Sequence, residues 1–257
     1  MHEFASRVES RFRFTSKELS NLLITALVAT FGITIAKGWG VFDLIGSKGV
    51  APYLLNFIII ALLVFISFIV HFSAQKIVAL KLGYSSEYKM WINGLLIGPM
   101  LCLFSYGYLP LFFSGSLLYD VIPKLRAGTF RGGVKHKDLG VISFAGPFSN
   151  ILLVGLLAPL YLATKGEFLK TFIIINLLVA IFSLLPIPTF EKLRQFAGGT
   201  TGLYLWIASR WVFVLAFATV FIYALLIILF NIFSYIIALV LGILVAVVYY
   251  SRFESEK

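Results

Sequence analysis

Long apolar runs separated by short polar stretches dominate the chain. Each run is close to the roughly 20 residues that a helix needs to cross the hydrocarbon core of a bilayer. Before the first run, Thr15–Glu18 has the spacing of a capping box and predicts a helix start. We predict one transmembrane domain over residues 1–257 with six spanning helices. Their approximate ranges are 19–36, 51–76, 140–163, 171–188, 203–229 and 231–250.

Residues 94–119 are also apolar, but helix-breaking residues interrupt them repeatedly. Glycine and proline at this density favour a re-entrant or strand-like element packed against protein over a lipid-facing helix. The predicted fold class is therefore an all-α integral membrane protein with a re-entrant or short β element between its second and third spans. The interrupting residues are Gly94, Gly98, Pro99, Gly107, Pro110 and Gly115.

The composition supports a membrane protein. Of the 257 residues, 60% are hydrophobic and only 12% are charged, which excludes an ordinary soluble domain. Cys102 is the one cysteine in the sequence, so neither an intrachain disulfide framework nor a zinc site built from cysteines is available. We expect Cys102 to be a small, buried, apolar residue.

The basic residues predict the orientation in the membrane. The net charge is +10, and basic residues concentrate in the cytoplasmic loops of membrane proteins. With six spans and a cytoplasmic N-terminus, sixteen of the 21 lysines and arginines lie inside and four outside, with Arg210 near a boundary. We therefore expect a multi-pass protein of the plasma membrane with both termini in the cytoplasm. The lipid bilayer is its expected partner, and no basic-aromatic surface indicates a nucleic acid.

Two polar residues, His71 and Gln75, lie within the second apolar run. Residues four apart share a helix face, so their side chains should point the same way. The spacing is that of the His-Glu-x-x-His motif, whose histidines bind zinc and whose glutamate is the general base. Here Phe72, which cannot accept a proton, occupies the base position, and a neutral amide replaces the second imidazole. We predict no catalytic residue in this motif.

Two further motifs follow in order along the chain. Ala145–Asn150 begins with Ala-Gly-Pro and ends with Asn, and Ser183–Glu191 contains Pro-x-Pro before an acidic residue. Together with His71–Gln75, they resemble the site-2 proteases, a family of intramembrane zinc metalloproteases, in its short six-helix archaeal form. The resemblance covers nearly the whole chain and is weakest across 100–138.

The resemblance implies specific roles at the matching positions. His71, Gln75 and Glu191 stand where the family has its three zinc ligands, and Phe72 stands where it has the base. Only His71 and Glu191 retain ligating side chains, whereas a catalytic zinc normally has three protein ligands and a water. These two residues are therefore expected to be a vestigial metal site, with Gln75 at the lost ligand position. No cofactor is expected, and zinc is retained as the alternative.

The resemblance also implies a cleft between the central helices that would admit a transmembrane helix. Residues that shape helix packing there are Gly146, Pro147, Asn150, Pro186 and Pro188. Since they remain while the base and ligands are lost, we predict a catalytically inactive relative, a pseudoprotease. It would bind transmembrane segments of a client protein or act as a scaffold subunit.

Two other classes of function remain open. A zinc protease with altered ligands could retain residual activity through His71 and Glu191, and a transporter or channel could use the irregular segment 94–119 to line a cavity. The site residues also have purely structural interpretations. His71, Gln75 and Asn150 could hydrogen-bond between helices, and Glu191 could pair with Lys192, Arg194 or Lys76.

Overall fold

The computed structural model describes residues 2–35, 50–108, 111–122, 135–188, 200–229 and 234–254. Helices form most of these ranges, and two short strands lie between the second and third long helices. In chain order the elements are α1 His2–Arg11, α2 Ser16–Ile35, α3 Val50–Leu82, β1 Tyr84–Lys89, α4 Ile92–Phe104, β2 Ser116–Val121, α5 His136–Thr164, α6 Glu167–Leu184, α7 Thr201–Ala208, α8 Arg210–Leu229 and α9 Ser234–Phe253.

The helices have the length and composition of membrane spans. Within the described ranges, five are long and apolar enough to cross a bilayer: α2, α3, α5, α6 and the Ile236–Phe253 part of α9. Two shorter apolar stretches, Ile92–Phe104 and Arg210–Leu226, accompany them. Large apolar side chains are exposed along these helices, as expected where lipid rather than water is the solvent. The predicted all-α membrane protein is confirmed.

The predicted span 203–229 is not one helix. It consists of α7 and α8, and the chain is extended at Ser209, with φ −163° and ψ 113°. The Ser209 N–H donates the last hydrogen bond of α7 to the Leu205 carbonyl at 2.9 Å. The Ser209 carbonyl accepts a hydrogen bond from the Phe213 N–H of α8 at 3.0 Å. Hydropathy averaged over the whole span does not reveal this break, although the polar residues Ser209 and Arg210 mark its position.

The expected β element is present, but it occupies only part of the irregular segment. Strands β1 and β2 pair in antiparallel orientation, with Tyr84 opposite Val121 and Lys89 opposite Ser116. The first part of the segment is the short helix α4, Ile92–Phe104, with Pro99 inside it, and the segment ends in β2. Gly115 has φ +91°, and a Cβ there would lie 2.9 Å from the Trp91 backbone nitrogen. Glycine is therefore required where the chain enters β2.

Helix α3 is central in the fold and packs against α2, α5, α6 and β1. An aromatic cluster fills the space between α3, the sheet and α6. Its ring centroids are separated by 6.2 Å between Phe68 and Phe72, 4.6 Å between Phe72 and Tyr88, 6.0 Å between Phe68 and Phe112, and 4.8 Å between Phe112 and Phe182. Edge-to-face and tilted ring pairs of this kind add to the burial of apolar area.

A buried ion pair joins α2 to α3. The Lys76 Nζ lies 2.6 Å from the Glu18 Oε1, and the two residues are 3% and 1% exposed. The other carboxylate oxygen of Glu18 accepts the Thr15 N–H at 2.8 Å, while the Thr15 hydroxyl accepts the Glu18 N–H at 3.2 Å. These reciprocal bonds confirm the predicted capping box. Among the described residues the partner of Lys76 is Glu18. Glu191, the other partner considered from sequence, lies outside the described residues.

Removing one member of this pair should destabilise the protein strongly. Lys76→Met leaves the Glu18 carboxylate buried without its cation, which costs about 3–5 kcal/mol for a buried pair. We expect a clear fall in the melting temperature of the detergent-solubilised protein, measured by thermal unfolding.

The matched control is Lys170→Met. Lys170 pairs with Glu167 at 3.5 Å, but both side chains are exposed, so little stability should depend on this pair. Equal melting temperatures for the two variants would contradict the assigned importance of Lys76.

Candidate functional site

Two of the three sequence motifs meet where α3 packs against α5. His71 and Gln75 lie one turn apart on α3, and Gly146 faces them from α5. A Cβ on Gly146 would overlap the His71 Nε2 atom and lie 2.6 Å from the Gln75 Nε2 atom. The absence of a side chain at Gly146 therefore allows the two polar residues to lie between the helices. Pro147 is buried on the same helix.

The polar side chains form a short hydrogen-bonded chain. The Gln75 Nε2 lies 3.3 Å from the His71 Nε2 and 3.3 Å from the Ser143 carbonyl oxygen, to which it donates. An amide nitrogen has no lone pair to offer, so the His71 Nε2 is the acceptor in this pair. Asn150 lies beside the imidazole from α5, one turn beyond Gly146. All four polar residues of this cluster are fully buried or nearly so.

The same cluster contains buried polar atoms without partners. Among the described residues, no hydrogen-bond partner is present for His71 Nδ1, Gln75 Oε1, Ser143 Oγ or Asn150 Nδ2. Unpaired polar atoms away from water are costly, and four within one helix interface are unusual. The site therefore has both donor and acceptor capacity that the described protein atoms do not use.

Phe72, at the position of the missing base, is fully buried. Its ring lies 4.6 Å from the Tyr88 ring and 4.9 Å from the His71 imidazole, measured between centroids. Burial raises the pKa of the Tyr88 phenol, so this group remains neutral, and it donates a hydrogen bond to the Ser114 carbonyl. The base position is therefore occupied by an apolar ring and closed by strand β1.

The third motif lies at the end of α6. Pro186 and Pro188 are exposed and form part of an extended segment after Leu184. Thr200 holds this segment, because its hydroxyl accepts the Ile187 N–H at 3.1 Å and its N–H donates to the Ile187 carbonyl at 3.0 Å. The Thr201 hydroxyl donates to the Ser183 carbonyl at 2.6 Å. The predicted ligand Glu191, with Lys192 and Arg194, lies outside the described residues.

Sequence reasoning did not identify three residues of this region. Ser143 contributes through its backbone carbonyl, which any residue would provide, so residue type carries no signal for it. Thr200 and Thr201 are distant in sequence from the segments that they hold. Adjacent threonines at the start of a helix are a capping signal, but the signal does not name the carbonyls that they contact.

The side chains that the structure describes at this motif do not by themselves form a catalytic zinc site. Within the described ranges, no three His, Cys, Asp or Glu residues are grouped closely enough to hold a metal ion. At the motif the donors are one imidazole and neutral amides, whereas catalytic zinc has three protein ligands drawn from imidazole, thiolate and carboxylate. The Gln75 amide nitrogen also points at the His71 Nε2 atom, where a metal would need a lone pair.

The two meeting motifs resemble those of the site-2 protease-like archaeal family, and a distant relative supports this resemblance. In comparison with known proteins, the chain is a distant homologue of a Methanocaldococcus jannaschii protein named "Putative zinc metalloprotease MJ0611". The two are 29% identical over 187 residues, which cover 71% of this chain and 84% of the relative. No protein-family model matches the chain, and no solved structure matches it.

The contact at Gly146 gives a direct test of the site. Gly146→Ala places a methyl group against His71 and Gln75, and overpacking of this kind costs about 1–3 kcal/mol. We expect a lower melting temperature than that of the unsubstituted protein in the same detergent.

Gly155→Ala on the same helix is the matched control. A Cβ there meets nothing within 4 Å, and replacing a helical glycine by alanine stabilises by about 0.5–1 kcal/mol. If Gly146→Ala were as stable as Gly155→Ala, α3 and α5 would not be in close contact at this point.

Proposed function

We propose that this protein is a catalytically inactive relative of the site-2 proteases that binds transmembrane segments of other proteins. The observation that carries the proposal is Phe72, buried at the position of the base. Since a phenyl ring accepts no proton at any pH, a water held beside His71 would have no general base from this motif. The proposal places the protein in the plasma membrane with both termini in the cytoplasm.

The environment of the motif supports the loss of hydrolysis. The Gln75 Nε2 donates to a backbone carbonyl and to the lone pair of the His71 Nε2, so hydrogen bonding within the motif occupies the nitrogen that would bind a metal. Phe72 is fully buried and packed among aromatic rings, so the base position lies in an apolar environment. At these motif positions, hydrogen bonding by Gln75 and packing of Phe72 take the place of zinc binding and proton transfer.

The retained helix contacts support binding. Gly146, Pro147 and Asn150 remain buried between the central helices, so the architecture around the former site persists. In a membrane, small residues and amide side chains promote association between helices because apolar surface alone gives little drive in lipid. A protein of this kind can hold a client helix, or join subunits, without cutting either.

An alternative is a zinc metalloprotease with altered ligands. Two observations favour it: the name of the relative, and the His71 Nδ1 atom, which has no partner among the described residues. In that case Glu191 would join His71 as a metal ligand. The alternative lacks a base in the motif, so the inactive form is the better supported proposal.

Zinc content and cleavage separate the two proposals. We expect the purified protein to contain well under one zinc per chain by mass spectrometry, and to leave a transmembrane substrate intact in proteoliposomes. Phe72→Glu combined with Gln75→His restores a base and a second imidazole and should raise the zinc content. His71→Ala is the control that removes the remaining imidazole.

Zinc bound near one per chain in the unsubstituted protein, and lost in both His71→Ala and Glu191→Ala, would support the alternative. Cleavage that depends on His71 would overturn the proposal of an inactive protein.

Binding of a client helix is the second test. We expect energy transfer between the labelled protein and a labelled transmembrane peptide in phosphatidylcholine and phosphatidylglycerol vesicles, with no loss of intact peptide. A peptide with Gly-Pro at its centre should bind better than an uninterrupted leucine helix, because its free backbone groups can use unpaired donors and acceptors in the site. Equal transfer to both peptides, at the level of random mixing, would contradict the proposal.

A further inference from the structure

Strand β1 has one edge paired with β2 and another edge that faces α2 and α3. Backbone groups of alternate residues in a strand point to the same side. The Ser86 carbonyl and the Tyr88 N–H share the side away from β2, since both are engaged by the ion pair of the spanning helices. In a larger sheet, these two backbone groups would instead form hydrogen bonds with a neighbouring strand.

The Glu18–Lys76 pair engages these two groups as a neighbouring strand would. The Glu18 Oε1 accepts the Tyr88 N–H at 2.6 Å, and the Lys76 Nζ donates to the Ser86 carbonyl at 3.2 Å. One acceptor and one donor thus reach residues two apart on β1. In a parallel pair of strands, a single residue of the neighbour contributes its carbonyl and N–H to the same two positions.

The N-terminal arm of residues 12–15 holds the ion pair in place. The Lys76 Nζ donates to the Arg13 carbonyl at 3.2 Å and lies 4.5 Å from the centroid of the Phe14 ring. The Thr15 hydroxyl and N–H bind Glu18 through the capping box. Movement of the arm away from α3 would therefore remove the contacts that keep both charges on the strand edge.

An open cavity lies beside the ion pair. Its volume is about 610 Å³, and its lining is mostly polar. The Ser86 end of this edge of β1 therefore borders an accessible space, and Glu18 and Lys76 line the same cavity. The lining residues are Ser10, Arg11, Arg13, Thr15, Glu18, Lys76, Ser85, Ser86, Glu87 and Asp120.

We propose that the Glu18–Lys76 ion pair is a built-in cover of the β1 edge, held closed by the N-terminal arm. The ion pair binds the Ser86 carbonyl and the Tyr88 N–H in place of a neighbouring strand. It therefore keeps another extended backbone from pairing with β1. Release of the arm opens the edge toward the cavity. This cover does not depend on the proposed function, because it involves neither His71 nor Phe72.

Amide hydrogen exchange on the full chain in nanodiscs tests the cover. Glu18→Met combined with Lys76→Met removes both charges and keeps apolar volume, a replacement that buried ion pairs usually tolerate. We expect the Tyr88 amide to exchange at least about tenfold faster, because its acceptor is lost. The Glu87 amide, which points to β2, should keep its protection and show that the sheet is intact.

A milder variant tests the arm and guards against loss of the fold. Thr15→Val keeps the shape of the side chain but removes the hydroxyl that caps Glu18, and should raise Tyr88 exchange by about threefold. Ser10→Ala is its control, since the Ser10 hydroxyl donates to the carbonyls of Ser6 and Arg7 in its own helix and, among the described residues, takes no part in the ion pair.

The cover is supported if exchange becomes faster at Tyr88 but not at Glu87. The double variant should exchange fastest and Thr15→Val next, while Ser10→Ala should match the unsubstituted protein. Unchanged Tyr88 exchange in the double variant would overturn it, because another group would then close the edge. Thr15→Val equal to Ser10→Ala would overturn the role of the arm.

Discussion

The buried ion pair between Glu18 and Lys76 is the interaction on which the arrangement of α2, α3 and β1 depends. It joins the start of α2 to α3 and fixes β1 against both. A charge pair in a low-dielectric interior is stable only when its remaining hydrogen-bonding capacity is filled. Here backbone groups of the N-terminal arm and of β1 fill it, so breaking one contact affects every element that meets at this point.

The placement of β1 in turn decides what lies beside the motif helix. Tyr88 lies in the strand that the ion pair holds, and its ring packs against Phe72. A proton acceptor at that position would be packed among aromatic rings rather than beside water. The apolar residue at the base position is therefore matched by the packing around it, and this match supports the proposal of an inactive protein.

The α3–α5 interface has a different character from the ion pair. It holds neutral amides, an imidazole and a hydroxyl, and several of their atoms have no partner in the described part of the chain. Gly146 permits this arrangement by bringing the helices close at that point. The two polar centres are adjacent on α3, because Gln75 directly precedes Lys76. Charge pairing closes one centre, and the other has unused hydrogen-bonding capacity among the described residues.

The amino-acid sequence was sufficient to predict a membrane protein with long apolar helices, because hydrophobic length is a local property that needs no tertiary contact. It also determined the capping box at Thr15 and the spacing that puts His71 and Gln75 on one face. Only the tertiary structure decided that Lys76 pairs with Glu18, that Ser209 divides an apolar run, and that Thr200 holds the proline segment. These depend on residues distant in sequence that meet in space. The pattern of apolar residues along the chain does not indicate which polar group will contact which partner.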